Sequence, residues 1–151
     1  MPPLIVLDAS VVLTLLLNEP AAADVAALLH LFVRGRITCL VPALLSYEIA
    51  NALQQKSVSR SDGVIATTLY AQWMAFRIPQ RDPQPQETAM AFRILGTTRR
   101  QTYYDAVYHA MAIVQQGTLL TADRRYARAA STHGHLLTLD TVPPLIRRWQ
   151  K

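Results

Sequence analysis

Four of the chain's ten acidic residues, Asp8, Glu48, Asp105 and Asp123, stand where they can act together. Asp8 ends the apolar run Leu4-Ile5-Val6-Leu7, and Asp123 lies just past the run Thr118-Leu119-Leu120-Thr121. The first run is continuous and apolar, as in a parallel strand buried on both faces, and the second reads as a strand too. In an open parallel sheet ligands bind outside the carboxyl ends of the strands, which puts both aspartates at one crevice. Glu48 and Asp105 fall early in apolar helical segments, the first among Leu44, Leu45, Ile49 and Leu53, the second among Ala106, Val107, Tyr108 and Met111. An acid on such a helix is costly unless it is paired or ligated. Clustered carboxylates raise each other's pKa unless a cation joins them. Hard oxygen donors without cysteine or a clear histidine set select Mg²⁺ or Mn²⁺ over zinc. Mg²⁺ keeps several waters, one of which can become a nucleophile, and a second ion about 3.5–4 Å away would stabilise a leaving oxygen. The natural substrate of such a site is a phosphodiester. Each acid also has a structural reading: Asp8 and Asp123 as helix caps, Asp105 as complement to a helix dipole, Glu48 as part of a solvated face.

The elements that must position these acids can be read along the chain. Residues 4–7 predict a strand, 10–17 a short helix, and 21–32 a helix with Gly35 as its C-cap. A strand over 37–41 leads into a helix over 44–55. Ser59 or Ser61 can cap a helix that runs to about residue 76, and Ile78-Pro79 suggests a short edge strand. Helices are expected over 85–95, with Pro85 in the first turn, and over 103–116, capped by Thr102 and stopped by Gly117. Strand 118–121, helix 124–130 and strand 135–139 follow, with a possible final turn in the tail from Val142. Strands alternating with helices specify an α/β fold of three α/β/α layers around a mostly parallel sheet.

A length of 151 residues, 51% apolar and 17% charged, fits one domain over 1–151 and excludes a disordered or fibrous chain. The lone Cys39 rules out an intrachain disulfide and cysteine-rich zinc modules, and its apolar strand setting makes it a buried structural thiol. No run of about 18 apolar residues and no targeting segment is visible, so a cytoplasmic protein without a membrane span is expected.

The net charge of +5 is unevenly spread. Residues 1–75 carry four basic and five acidic side chains, whereas residues 76–151 carry eleven basic and five acidic. Thirteen of the fifteen basic residues are arginine, whose planar fork suits phosphate and carboxylate. A basic half points to an anionic partner such as nucleic acid or an acidic protein segment. Arg99-Arg100 shortly before Tyr103-Tyr104 can grip phosphate and stack a base at the mouth of the site, or form a solvated helix end.

Four segments resemble the motifs of PIN-domain nucleases, in order and spacing over nearly the whole chain. They are Ile5-Val6-Leu7-Asp8-Ala9-Ser10-Val11-Val12, Glu48-Ile49-Ala50-Asn51-Ala52-Leu53, Tyr104-Asp105-Ala106-Val107-Tyr108-His109-Ala110-Met111-Ala112 and Leu119-Leu120-Thr121-Ala122-Asp123-Arg124-Arg125-Tyr126. Within that family the likeness is greatest to the VapC toxins of VapBC toxin–antitoxin pairs. The resemblance implies a metal-dependent endoribonuclease, usually a homodimer, silenced by a cognate antitoxin. It implies that Asp8, Glu48, Asp105 and Asp123 hold Mg²⁺ or Mn²⁺ and carry catalysis, with Ser10, Asn51 and Thr121 supporting them. Some relatives carry a further acid after the fourth motif; here Arg124 and Arg125 stand there, which shifts weight toward RNA contact or weakens one metal position.

Other arrangements compete less well. His109, four residues after Asp105, suits either a mixed metal site or packing, and His133-Gly134-His135 reads as a turn. No Gly-x-Ser-x-Gly elbow and no glycine-rich phosphate loop occurs. A haloacid-dehalogenase-type phosphohydrolase needs a second aspartate two residues after the first, where Ser10 stands. A PIN-like module that binds without cleaving is the remaining alternative. Apolar positions over 44–53 and 65–76 exceed what one sheet face needs and suit a dimer contact, an antitoxin groove or helix-on-helix core.

Overall fold

A computed structural model describes residues 1–57 and 63–151. Ser59 and Ser61, the expected caps, lie outside the described residues. Five strands form a parallel sheet: β1 (Leu4–Leu7), β2 (Thr38–Pro42), β3 (Gln80–Arg81), β4 (Thr118–Thr121) and β5 (Leu136–Thr138), in the order β3-β2-β1-β4-β5. The continuous apolar strand β1 lies at the centre, with Ile5, Val6 and Leu7 buried, and register pairs Val6 with Leu40 on one side and Leu119 on the other. The helices are α1 (Ala9–Leu16), α2 (Ala22–Val33), α3 (Leu44–Ser57), α4 (Gly63–Ala75), α5 (Pro85–Leu95), α6 (Tyr103–Val114), α7 (Arg124–Ala130) and α8 (Pro143–Trp149). Helix α6 crosses β1, β2 and β4 and packs against α5, forming one helical layer. On the other side α1 packs with α2, α3 and α4, and α8 packs on α2, completing the expected three α/β/α layers.

The departures from the expected boundaries have local causes. The edge strand lies at Gln80–Arg81 rather than Ile78-Pro79. Pro79 has no N–H to give a ladder, although its carbonyl accepts the Val41 N–H at 3.0 Å, and Ile78 is drawn into the core. Strand β5 is shorter than 135–139 because His135 takes a left-handed φ of 52° and Leu139–Thr141 curls into a 3₁₀ turn. The tail closes in a helix, α8, entered through Pro143 in its first turn. Helix α2 ends as its sequence predicts, with Gly35 at φ 70° and the Arg36 N–H reaching back to the Leu31 carbonyl at 2.9 Å. Cys39 is buried in β2, and burial pushes its thiol up to about 12. Among the described residues no helix is long and apolar enough to cross a membrane.

Two tight features hold α5 and α6 in place. At the start of α5, the buried Glu87 receives the Arg81 guanidinium bidentately at 2.7 and 2.6 Å, the Gln84 N–H at 2.7 Å and the Gln115 side-chain amide at 2.8 Å. One carboxylate thereby ties the edge strand to both helices. At the far end of α6, Gln116 turns left-handed and Gly117 passes against β1. A Cβ on Gly117 would lie 2.8 Å from the Leu4 carbonyl oxygen and 2.9 Å from its Cγ. Gly117→Ala is therefore expected to cost about 1–3 kcal/mol, measured by urea unfolding, because backbone must move to admit the methyl. A loss below a few tenths of a kcal/mol would show that the approach is loose.

Candidate active site

The carboxyl ends of β1 and β4 are lashed together by side chains. Asp8 follows β1 at the N-cap position of α1, yet its side chain makes no cap bond. Its Oδ2 instead accepts the Ser10 hydroxyl at 2.6 Å and the Thr121 hydroxyl at 2.7 Å. Ser10 Oγ in turn accepts the Ala122 N–H and Thr121 Oγ1 the Asp123 N–H, both at 3.0 Å. Burial pushes the Asp8 carboxyl up; the two hydroxyls oppose this, and the charge of Asp105 adds to it.

Asp105 sits in the first turn of α6, where its Oδ2 accepts the Thr102 N–H at 3.0 Å and the Thr102 hydroxyl at 2.8 Å in a capping box. Asp123 caps α7, its Oδ1 taking the N–H groups of Arg125 and Tyr126 at 2.9 Å. The structural readings of these two residues are thus realised alongside the chemical one: each spends one oxygen on a helix end and keeps the other outside those bonds. Asp8, Asp105 and Asp123 line one small cleft with Tyr108, Leu119, Thr121 and Tyr126.

Glu48, on α3, joins the edge of this cleft through Tyr108, which lines it. Its Oε2 accepts the hydroxyl of the buried Tyr108 at 2.6 Å. Burial first, then the charges of Asp8 and Asp105, push its carboxyl up to about 7 against the pull of that hydroxyl. Tyr108 is a site residue that the spacing of acids alone overlooks; its place three residues after Asp105, on the same face of α6, was the available signal. Asn51 stands exposed on α3, and among the described residues no hydrogen bond joins it to the acids.

The donor set suits a hard divalent cation: several carboxylate oxygens, with Asp8 held rigid by hydroxyls and no thiol or imidazole among them. Among the described residues no three of these side chains converge closely enough to enclose an ion unaided. Carboxylates with nothing between them repel, and Mg²⁺ retains waters and needs only one or two of them directly. The histidines lie elsewhere. His109 is buried, with Nε2 2.7 Å from the Gly134 carbonyl and Nδ1 3.1 Å from the Tyr126 hydroxyl. His133 bonds Thr97 at 2.6 Å and His135 bonds the Gly117 carbonyl at 2.7 Å.

The arginines divide. Arg99, Arg100, Arg124 and Arg125 are all exposed. Arg125 donates to the Arg100 carbonyl at 3.3 Å, which brings the loop before α6 beside the start of α7. Arg124 faces away from it toward Asp140, at 3.5 Å. Tyr103 packs on Phe92 with ring centroids 5.4 Å apart and bonds Thr88, whereas Tyr104 is left exposed.

Solved structures from Pyrobaculum aerophilum and Rickettsia felis share this architecture. PAE2754 from Pyrobaculum aerophilum superposes with a TM-score of 0.68 at 20% identity, covering 99% of this chain and 97% of that one. VapBC2 from Rickettsia felis, bound to a DNA fragment from its promoter, superposes with a TM-score of 0.66 at 14% identity, covering 89% of this chain and 98% of that one. At these identities they speak for the fold. No curated protein matches the chain. The sequence profile of the PIN domain matches residues 5–131, a span that holds every acid of the cleft, and the chain belongs to the PIN domain family.

Proposed function

We propose that this chain is a Mg²⁺- or Mn²⁺-dependent endoribonuclease, the toxin of a type II toxin–antitoxin pair. The observation that carries the reading is the cleft where Asp8, Asp105 and Asp123 meet, with Glu48 held at its edge by Tyr108. When bound, the divalent ion supplies charge to activate water and to stabilise the departing oxygen of a phosphodiester. Asp8, Glu48, Asp105 and Asp123 would hold it. Ser10 and Thr121 fix Asp8 so that its orientation costs nothing at the moment of reaction. Arg99, Arg100 and Arg125, exposed beside the starts of α6 and α7, bind the RNA backbone, Arg124 adds to them from its exposed pair with Asp140, and Tyr104 offers a face on which a base can stack. We assign the whole of 1–151 to one functional unit that works in the cytoplasm as a homodimer, restrained by its cognate antitoxin. The solved VapBC2 complex supports a partner of that kind. So does α4, whose Val64, Ile65 and Met74 remain exposed beside the buried Trp73.

The test is cleavage of single-stranded RNA with Mg²⁺ and with chelator. Cleavage only with the metal is expected; binding without cleavage under both conditions would turn the site into a silent binding module. Binding to an uncleavable RNA should weaken with salt by about 0.7 logarithmic units per phosphate neutralised for each decade of salt. Arg99→Ala with Arg100→Ala should flatten that slope by one to two phosphates. An unchanged slope and affinity would leave this pair as a solvated loop.

A further inference from the structure

We infer that Tyr108 is a positioning residue, its hydroxyl holding the Glu48 carboxylate at the edge of the acidic cleft against the repulsion of Asp8 and Asp105. The inference rests on the reading of the cleft as a divalent-cation site. Three observations carry it. The bond is short, 2.6 Å, and spans 60 residues of sequence, joining α6 to α3 across the mouth of the site. The Tyr108 ring is 1% exposed and packed into the main core, so its hydroxyl is fixed in space by the fold and not by Glu48. Glu48 itself is only half-buried on α3, next to the exposed Tyr47, and the charges of Asp8 and Asp105 both act on it.

A long side chain in that position has an easy alternative. Rotation toward solvent would rehydrate the carboxylate and increase its distance from two like charges. Among the described residues the Tyr108 hydroxyl opposes that rotation through its bond to Oε2. A phenol suits the task because it donates one proton to a carboxylate oxygen and brings no charge, so it restrains Glu48 without competing for the cation. Because it takes up Oε2, the bond also leaves Oε1 outside it. Tyr108 thus serves in the manner of the outer partners that orient metal-binding side chains, whose removal costs about 10–100-fold in affinity.

The experiment is a Mn²⁺ titration, followed by the magnetic resonance signal of the free ion, on the full chain and three variants. Tyr108→Phe keeps the ring and removes one oxygen, so its metal-free melting temperature should stay close to wild type while its Mn²⁺ dissociation constant rises about tenfold. Glu48→Ala should weaken binding at least as much. The double variant should bind no more weakly than Glu48→Ala alone, since the hydroxyl then has nothing to position. Unchanged affinity in Tyr108→Phe overturns the inference. So does a double variant in which the two losses multiply, because Tyr108 would then act through general packing. Failure of the wild type to take up Mn²⁺ would overturn the reading of the cleft itself, a result distinct from both.

Discussion

Asp8→Asn is expected to reduce RNA cleavage by about 10²–10³-fold while the fold gains stability in the absence of metal. The amide has the shape of the carboxylate, and its oxygen can still accept the hydroxyls of Ser10 and Thr121, so the junction between β1 and β4 survives. What disappears is a buried charge. Burial raises the Asp8 carboxyl above its ordinary value, and Glu48 stands at about 7 partly because of Asp8. For a carboxyl raised in this way, the folded state binds the proton more tightly than the unfolded chain does. For Glu48 that contribution to stability is present below its unfolded value near 4.5 and is lost as pH rises through about 7; for Asp8 the direction is the same. The metal-free wild type should therefore soften between about pH 5 and 8, and Asp8→Asn should soften less. At neutral pH we expect the variant to melt about 3 °C higher without metal, about one kcal/mol for a chain of this size. Added Mg²⁺ should reverse the ranking, stabilising the wild type more than the variant. Equal metal-induced shifts in the two proteins would remove Asp8 from the cation site.

Arg81→Ala is expected to destabilise the protein by about 3 kcal/mol. The Glu87 side chain is fully buried and that of Arg81 is 29% exposed, so deleting the arginine strands a carboxylate in the core. Partial exposure of Arg81 places the cost at the lower end of the range for broken buried pairs. Burial alone would raise the Glu87 carboxyl, but Arg81, Gln84 and Gln115 together hold it below its ordinary 4.5. A depressed carboxyl contributes stability above its unfolded value and loses it as pH falls through the folded one. Without Arg81, burial dominates and the sign reverses, so acid should help the variant where it harms the wild type. Urea unfolding at pH 7 and pH 4 checks both points: the gap should be wide at pH 7 and narrow at pH 4. A gap below about 1 kcal/mol, or one that ignores pH, would show that water reaches Glu87. Arg81→Ala with Glu87→Gln should recover part of the loss, because the amide needs no counter-charge.

What could be read in the sequence follows from what is local. Asp8 and Asp123 were placed correctly at strand ends because short apolar runs mark β1 and β4, and a parallel sheet turns strand ends into a crevice. Helix α5 matches its expected bounds because Pro85 opens it and Glu87 closes a capping box with Gln84. The support of Asp8 by Ser10 and Thr121 came from likeness to a motif, and the geometry supplies its physical form in two short hydroxyl bonds. The Tyr108–Glu48 bond and the Arg81–Glu87 pair stayed hidden for different reasons. The first joins residues 60 apart, a distance over which no periodicity carries information. The second joins residues only six apart, but that Glu87 points inward depends on α6 covering it with Gln115. Asn51, expected beside Glu48, lies one turn further along α3 and faces solvent.

The sheet that presents the cleft ends on both sides almost before it begins. Its outer strands are two and three residues long, against four or five in the centre. A bare strand edge is a template on which another copy can polymerise, and length makes the template effective. Pro79, which has no N–H to offer, interrupts one margin just before β3, and the left-handed His135 and the 3₁₀ turn at Leu139 cut the other short. The runs most apt to aggregate, Leu4–Leu7 and Thr118–Thr121, are enclosed between neighbours. Fibre growth by edge addition thus has no long margin to start from, and assembly with other chains is left to helices and side chains.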